Sequence, residues 1–168
     1  MNQDRISEIS KTLRTRRVEN KLKYYKPYRF QVNFHETGKH ANQRLLMAAN
    51  RVGKSYVGAM EMAMHLTGAY PQWWKGRRFK QPIKAWVCGA SNETTRDICQ
   101  KELFGQPDNP REKGRGSIPK HLIGETTRKP GVPNAHSSVL VKHVSGGWSR
   151  VAFKAYEMGK EKWMGESL

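Results

Sequence analysis

The sequence predicts an α/β fold with a mostly parallel sheet, and three observations carry that prediction. Short apolar runs of strand type alternate with stretches of helical periodicity. A Gly-Lys-Ser triplet, residues 53–55, joins one such run to the helix after it. Two further runs, 137–144 and 149–156, are separated only by Ser145-Gly146-Gly147-Trp148. Strands alternating with helices argue for three layers, with helices on both faces of the sheet.

The bulk numbers set the frame. A chain of 168 residues, 36% hydrophobic and 27% charged, carries enough apolar material for one modest core and too much for a disordered chain. No apolar run nears the roughly 20 residues of a membrane span, so no membrane partner is expected. The N-terminus has no apolar core of a secretory signal. Cys88 and Cys99 match no metal-ligand spacing and read as reduced core thiols of a cytoplasmic protein. The net charge is +17. The first 30 residues hold nine Lys/Arg against three acids, and 71–84 hold five Lys/Arg and no acid. Such an excess favours a polyanionic partner, because each neutralised phosphate releases a counterion.

In chain order, residues 3–25 read as a polar helix with Ile6, Ile9 and Leu13 as a narrow stripe, ended by Pro27. Residues 1–26 form a basic helical segment, and 27–168 the domain proper. Leu45, Leu46 and Met47 predict a short buried strand. After Ser55 a helix runs to about Thr67, with Val57, Met60 and Met64 on a core-facing side and Gly68 as its stop. Trp73 and Trp74 beside Arg77 and Arg78 suit either a loop pinned to the domain or a base-stacking surface. Residues 84–90 predict a second buried strand. Ser91 or Asn92 then caps a helix that carries Ile98 and Leu103 and stops at Gly105. Residues 105–137 hold five of the eight prolines and read as irregular, with a short helical turn around Lys120 to Ile123. Residues 137–144 and 149–156 predict a strand pair closed by a tight turn. The tail after residue 156 shows no clear element. The six histidines have no ligand spacing and read as structural or surface residues.

Chemistry concentrates at residues 48–55, Ala48-Ala49-Asn50-Arg51-Val52-Gly53-Lys54-Ser55. They match the phosphate-loop pattern G-x-x-x-x-G-K-[ST] except at Ala48. The triplet alone is weak, but an apolar run leads in and an unbroken helix leads out. That helix would aim free N–H groups and its positive dipole end at a polyphosphate. Gly53 allows close backbone approach, and Ala48 fits if its φ is negative. Lys54 would contact the β- and γ-phosphates, and the Ser55 hydroxyl would ligate Mg²⁺. Upstream, Gln31 lies between Tyr28 and Phe30 and the loop. Its amide can donate to and accept from an adenine edge. A hydrolysing site also needs a strand ending in an acid. None of the fourteen Asp/Glu ends a run of four apolar residues. Glu157 comes nearest, Glu61 lies in the helix after the loop, and Glu125 sits in the irregular segment. The acidic partner is therefore expected outside this chain, which stops at Leu168, and the chain alone is expected to turn over ATP poorly or not at all.

The strings PYRFQ, MAANRVGKS, GAYPQWWKGRRF, IPKHLIGETTRKPGVPN and VKHVSGGWSRVAFKAYEMGKEKWMGES, in this order over about 27–168, resemble the N-terminal ATPase domain of the large terminase subunit of tailed bacteriophages. The resemblance implies a RecA-like P-loop ATPase, incomplete here, with residues 48–55 as its Walker A loop and Gln31 in the adenine-contacting motif. It implies that the Walker B strand, a coupling motif and a nuclease domain follow. It also implies a packaging motor for double-stranded DNA in the host cytoplasm, working as a ring on a portal protein with a small terminase subunit. Several relatives carry an arginine four residues before the Walker A lysine. Here that position is Asn50, and Arg51, one place later, is the candidate for charge stabilisation at the γ-phosphate. Two alternatives stand beside this reading: another P-loop enzyme, such as a helicase-like ATPase or small kinase, and a non-enzymatic basic DNA-binding remnant of a prophage.

Overall fold

A computed structural model describes residues 2–159. Four strands form one sheet in the order β1-β4-β3-β2: β1 Lys84–Gly89, β2 Ile123–Arg128, β3 His136–Lys142 and β4 Trp148–Ala155. The α/β class stands, but the sheet is mixed. Only β1 and β4 run parallel, with Ala85 opposite Val151 and Val87 opposite Phe153. The β2–β3 and β3–β4 pairs are antiparallel. The expectation of a mostly parallel sheet is corrected on this point, for a local reason. The tight turn after His143 returns the chain directly beside β3, and a connection that short can join only antiparallel neighbours. The 123–128 stretch then adds a third strand to the same meander, with register shifts along its pairing. The sequence pattern predicts irregular chain there, and the structure forms a strand instead. Gly124 interrupts its pattern because a Cβ there would stand 2.5 Å from the Trp148 ring.

Along β4, Ser149, Val151, Phe153 and Ala155 are buried and alternate with more exposed residues, so one face of the sheet meets the core. The helix α3, Lys54–Thr67, packs against β3 and β4 on this face. Val57, Met60, Ala63, Met64 and Leu66 are fully buried, as the periodicity predicts. Gly68 ends α3 at φ 70 with its N–H donated to Met64 O at 2.8 Å. The helix α4, 92–104, completes the layer. Ser91 Oγ accepts from Thr94 N at 3.1 Å and caps it, as expected. Its middle, Thr95–Gln100, widens to a π-helix, which nothing in the sequence pattern announced. Leu103 and Phe104 are buried, Ile98 is exposed, and Gly105 follows.

Upstream elements depart further from expectation. The first helix, α1, runs Asn2–Glu19 and ends before Pro27; turns follow, and the Asn20 side chain accepts from Lys23 N. Ile6, Ile9 and Leu13 are exposed, whereas Leu22 and Tyr25 reach the core. The helix α2 spans Arg29–Thr37. The buried strand expected at Leu45–Met47 is not formed: the segment lies extended, and Leu45 and Met47 are 82% and 83% exposed. The reason is a missing neighbour. Among the described residues no strand pairs with it, and an unpaired apolar run gains nothing from strand geometry. Trp74 is 3% exposed, donates from Nε1 to Arg77 O at 3.0 Å and packs on Tyr70 and His35, so it pins its loop. Both cysteines are free and half-buried, with their thiols pushed up by burial. The tail beyond Gly159 lies outside the described residues.

Candidate functional site

The loop between the exposed 45–47 segment and α3 turns on two left-handed residues, Arg51 at φ 64 and Gly53 at φ 84. For Gly53 this geometry is unstrained. For Arg51 it costs about 1–2 kcal/mol, a kind of strain that clusters at ligand sites. Ala48 does not adopt a positive φ, so alanine replaces the usual glycine without penalty. Gly53 stands at the N-cap of α3, and no side chain caps that helix. Its first amides and dipole therefore face outward from the loop. The Lys54 ammonium folds back and donates to Ala48 O at 2.7 Å and Ala49 O at 2.6 Å. The lysine thus braces the loop across Asn50 to Gly53.

Opposite the loop stands α2. Its first turn is fixed reciprocally: Tyr28 N donates to Gln31 Oε1 at 2.9 Å, and Gln31 N donates to Tyr28 O at 3.0 Å. Gln31 is 3% exposed. Its Nε2 lies beside the loop, 3.3 Å from where a Cβ on Gly53 would be. Between α2 and the loop opens a cleft of about 1030 Å³, with Gln31, Arg51, Val52 and Gly53 on its wall and Lys26 and Arg29 adding positive charge. Tyr28 and Phe30 stack on each other at its side, with ring planes 8° apart. The structure therefore gathers Gln31 with Arg51 to Gly53. Lys54 turns instead to the carbonyls of Ala48 and Ala49. Ser55 lines a separate cavity of about 290 Å³ between α3, β1 and α4, where Trp86, Cys99 and Glu102 also stand.

Behind the cleft lies a polar cluster that the sequence reading missed. Glu61, on α3, is 6% exposed. It accepts from His35 Nδ1 at 2.8 Å, from both terminal nitrogens of Arg44, and pairs with His65 Nε2 at 3.4 Å. His35 Nε2 meets the Tyr25 hydroxyl at 3.1 Å, and that hydroxyl lies 3.5 Å from Gln31 Oε1. Burial pushes the Glu61 carboxyl up, but the bonds from His35, His65 and Arg44 and the Arg44 charge outweigh it. The net effect holds Glu61 well below the ordinary carboxylate range, as an anion. Burial first, then Tyr56 and Glu61, raises the Tyr25 phenol, which stays protonated. The Glu61–His65 spacing of four was the one readable signal; His35 and Arg44 arrive from other elements. Glu157, the acid nearest to a strand end in sequence, accepts from Asn92 N at 2.8 Å and Asn92 Nδ2 at 2.6 Å, and so ties the start of α4. Among the described residues no group of three His, Cys, Asp or Glu side chains could hold a metal ion.

Residues 45–168 match the family described as the terminase large subunit, T4likevirus-type, N-terminal. The chain belongs to that family. It is similar to the terminase large subunit of Salmonella phage P22, at 37% identity over 161 residues that cover 86% of this chain. It spans 32% of that relative's length. No solved structure matches.

Proposed function

We propose that this chain is the nucleotide-binding part of a DNA-packaging ATPase. One observation carries the proposal: an uncapped helix N-terminus opens on Gly53-Lys54-Ser55 at the edge of a basic cleft walled by Gln31. Backbone amides at a helix mouth, a lysine and two or more further cations form the donor set that a triphosphate needs. ATP fits it. Its phosphates lie along the amides of Val52 to Ser55 and displace the Ala48 and Ala49 carbonyls from the Lys54 ammonium. Arg51 supplies charge at the γ-phosphate end, and Gln31 meets the base.

Ser55 lines the cavity beside α4 and not the cleft, but it is exposed on the first turn of α3 next to Lys54, where its hydroxyl would hold Mg²⁺ together with phosphate oxygens and water. When bound, the ion offsets the charge of the phosphates. Double-stranded DNA is gripped through its backbone by the basic surface, so binding is salt-sensitive and largely indifferent to sequence. In the longer protein this part belongs to a RecA-like domain that works as a ring on the portal protein, with the small terminase subunit delivering DNA, in the host bacterial cytoplasm.

Titration with a non-hydrolysable ATP analogue and Mg²⁺ tests the site. The parent chain binds and Lys54→Ala does not; equal affinity in the two proteins would remove the assignment.

A further inference from the structure

Residues 105–122, which connect α4 to β2, form a stiff knob. Gly114 N donates to Phe104 O at 2.7 Å, Ser117 N to Glu102 O at 2.8 Å and Ile118 N to Leu103 O at 2.9 Å, which ties the segment to the end of α4. Ser117 and Ile118 are fully buried. Gly114, at φ 87, lets the backbone of Lys120 pass so close that a Cβ would stand 2.4 Å from its nitrogen. The outer side of the knob is cationic. Between it and the end of α1 lies a concavity of about 520 Å³, lined by Arg111, Lys113, Arg115, Lys120 and His121. Two acids stand near: Glu112 is paired with Arg115, and Glu19 lines the α1 side. Arg111, Lys113 and Lys120 are exposed and pair with no carboxylate among the described residues. Several arginines elsewhere are engaged within the fold: Arg44 by Glu61, Arg96 by Asp97 and Arg78 by the Trp74 carbonyl.

The cationic surface continues beyond this concavity. Burial first, then the charges of Lys113 and Arg128, hold His136 below the ordinary histidine value, so both cations stand near one ring. Arg128 and Lys129 line a second concavity of about 520 Å³ on the turn after β2, where Asn134 Nδ2 donates to Asp108 at 2.8 Å. Glu125, on β2, is exposed. No Phe, Tyr or Trp lines either concavity among the described residues. The face thus has charge but no platform on which unpaired bases could stack. Resting on the packaging reading above, we infer that the face formed by residues 111–121 and 128–129 grips the phosphate backbone of duplex DNA, apart from the nucleotide cleft. A duplex keeps its bases stacked inside and presents a dense line of phosphates, which point charges can meet without reading sequence. None of the residues of the cleft lines either concavity. The tie to α4 fixes the backbone that carries Lys113 and Lys120, so contact orders only their side chains.

Fluorescence anisotropy of a mixed-sequence DNA duplex, titrated with the full chain over a series of salt concentrations, tests this. One variant combines Arg111→Gln, Lys113→Gln and Lys120→Gln. A second removes the same charge elsewhere, through Lys39→Gln, Lys80→Gln and Lys142→Gln, all at exposed positions. Each lost phosphate contact lowers the slope of log K against log salt by about 0.9, so the first variant loses about 2.7 from its slope and binds at least about tenfold more weakly. The second stays within about threefold of the parent, with a slope changed by less than about 1. Equal weakening in the two variants overturns the inference, since bulk charge then accounts for binding, and leaves the packaging reading standing. So does tighter binding of the single strand than of the duplex, or displacement of the duplex by polyglutamate at equal charge concentration, which would mark the face as a site for unpaired bases or for an acidic protein. Absence of duplex binding by the parent overturns the DNA reading as well. Should the first variant not fold, Lys113→Gln and Lys120→Gln decide singly, each lowering the slope by about 1.

Discussion

Removing the carboxylate of Glu61 should be among the most damaging single changes in this chain. Glu61→Ala leaves Arg44 and His35 facing each other's surroundings with no anion between them. His35 is 1% exposed and the Arg44 side chain 22%, so water does not replace the lost partner at His35. Truncating one member of a buried ion pair costs about 3–5 kcal/mol, because the remaining charge is left uncompensated. The helices α2 and α3 meet through this cluster, so the loss falls on the joint that sets Gln31 opposite Gly53. Spread over the unfolding entropy of a chain this size, it lowers Tm by roughly 6–20 °C. The assay is thermal unfolding followed by circular dichroism, paired with urea titration to confirm an unchanged slope. A Tm within about 2 °C of the parent would refute the reasoning, since that corresponds to less than about 1 kcal/mol.

Four further outcomes follow from the same structure. The folded Glu61 carboxyl titrates below its unfolded value, so its contribution is present above the ordinary carboxylate pKa of about 4.3 and is lost as pH falls through the folded value. The Tm gap between parent and Glu61→Gln accordingly narrows as acid is added below about pH 4, and a gap that widens there contradicts the assignment. Gly68→Ala forces a side chain into φ 70 and sets a Cβ 2.4 Å from His143 Nε2, so it destabilises by more than about 1 kcal/mol in denaturant titration. Cys88 and Cys99, raised by burial, alkylate more slowly at neutral pH than a free thiol and reach its rate only in denaturant, as mass spectrometry would record. Binding of mixed-sequence duplex DNA weakens steeply with added salt; a flat salt dependence would mean that the +17 charge does not meet phosphates.

Much of the core was legible because its signals are local. The run Val57, Met60, Met64 with Gly68 after it names a helix, its buried side and its stop within fifteen residues. Ser91 and the Ser145-Gly146-Gly147 turn are equally self-contained. The errors about strands are non-local. Leu45 to Met47 has the composition of a buried strand, but a strand exists only by pairing, and composition cannot show whether a neighbour is present. The direction of the sheet likewise depends on which strands meet. The site divides in the same way. The loop announces itself in eight residues, with its alanine tolerated because φ there is not positive. The Glu61 cluster joins residues from four segments, among them His35 and Arg44, and only the folded chain brings them together. Gln31 could be named only as a candidate from its aromatic neighbours, and which end of its amide faces the cleft depends on the Tyr28 N–H.

The most direct test of the account is isothermal titration of the chain with a non-hydrolysable ATP analogue in Mg²⁺, run in parallel on Lys54→Ala. The predicted result is a single saturable site in the parent and none in the variant, with the variant still unfolding cooperatively. Saturable binding of equal strength in both proteins, or none in either, would contradict it.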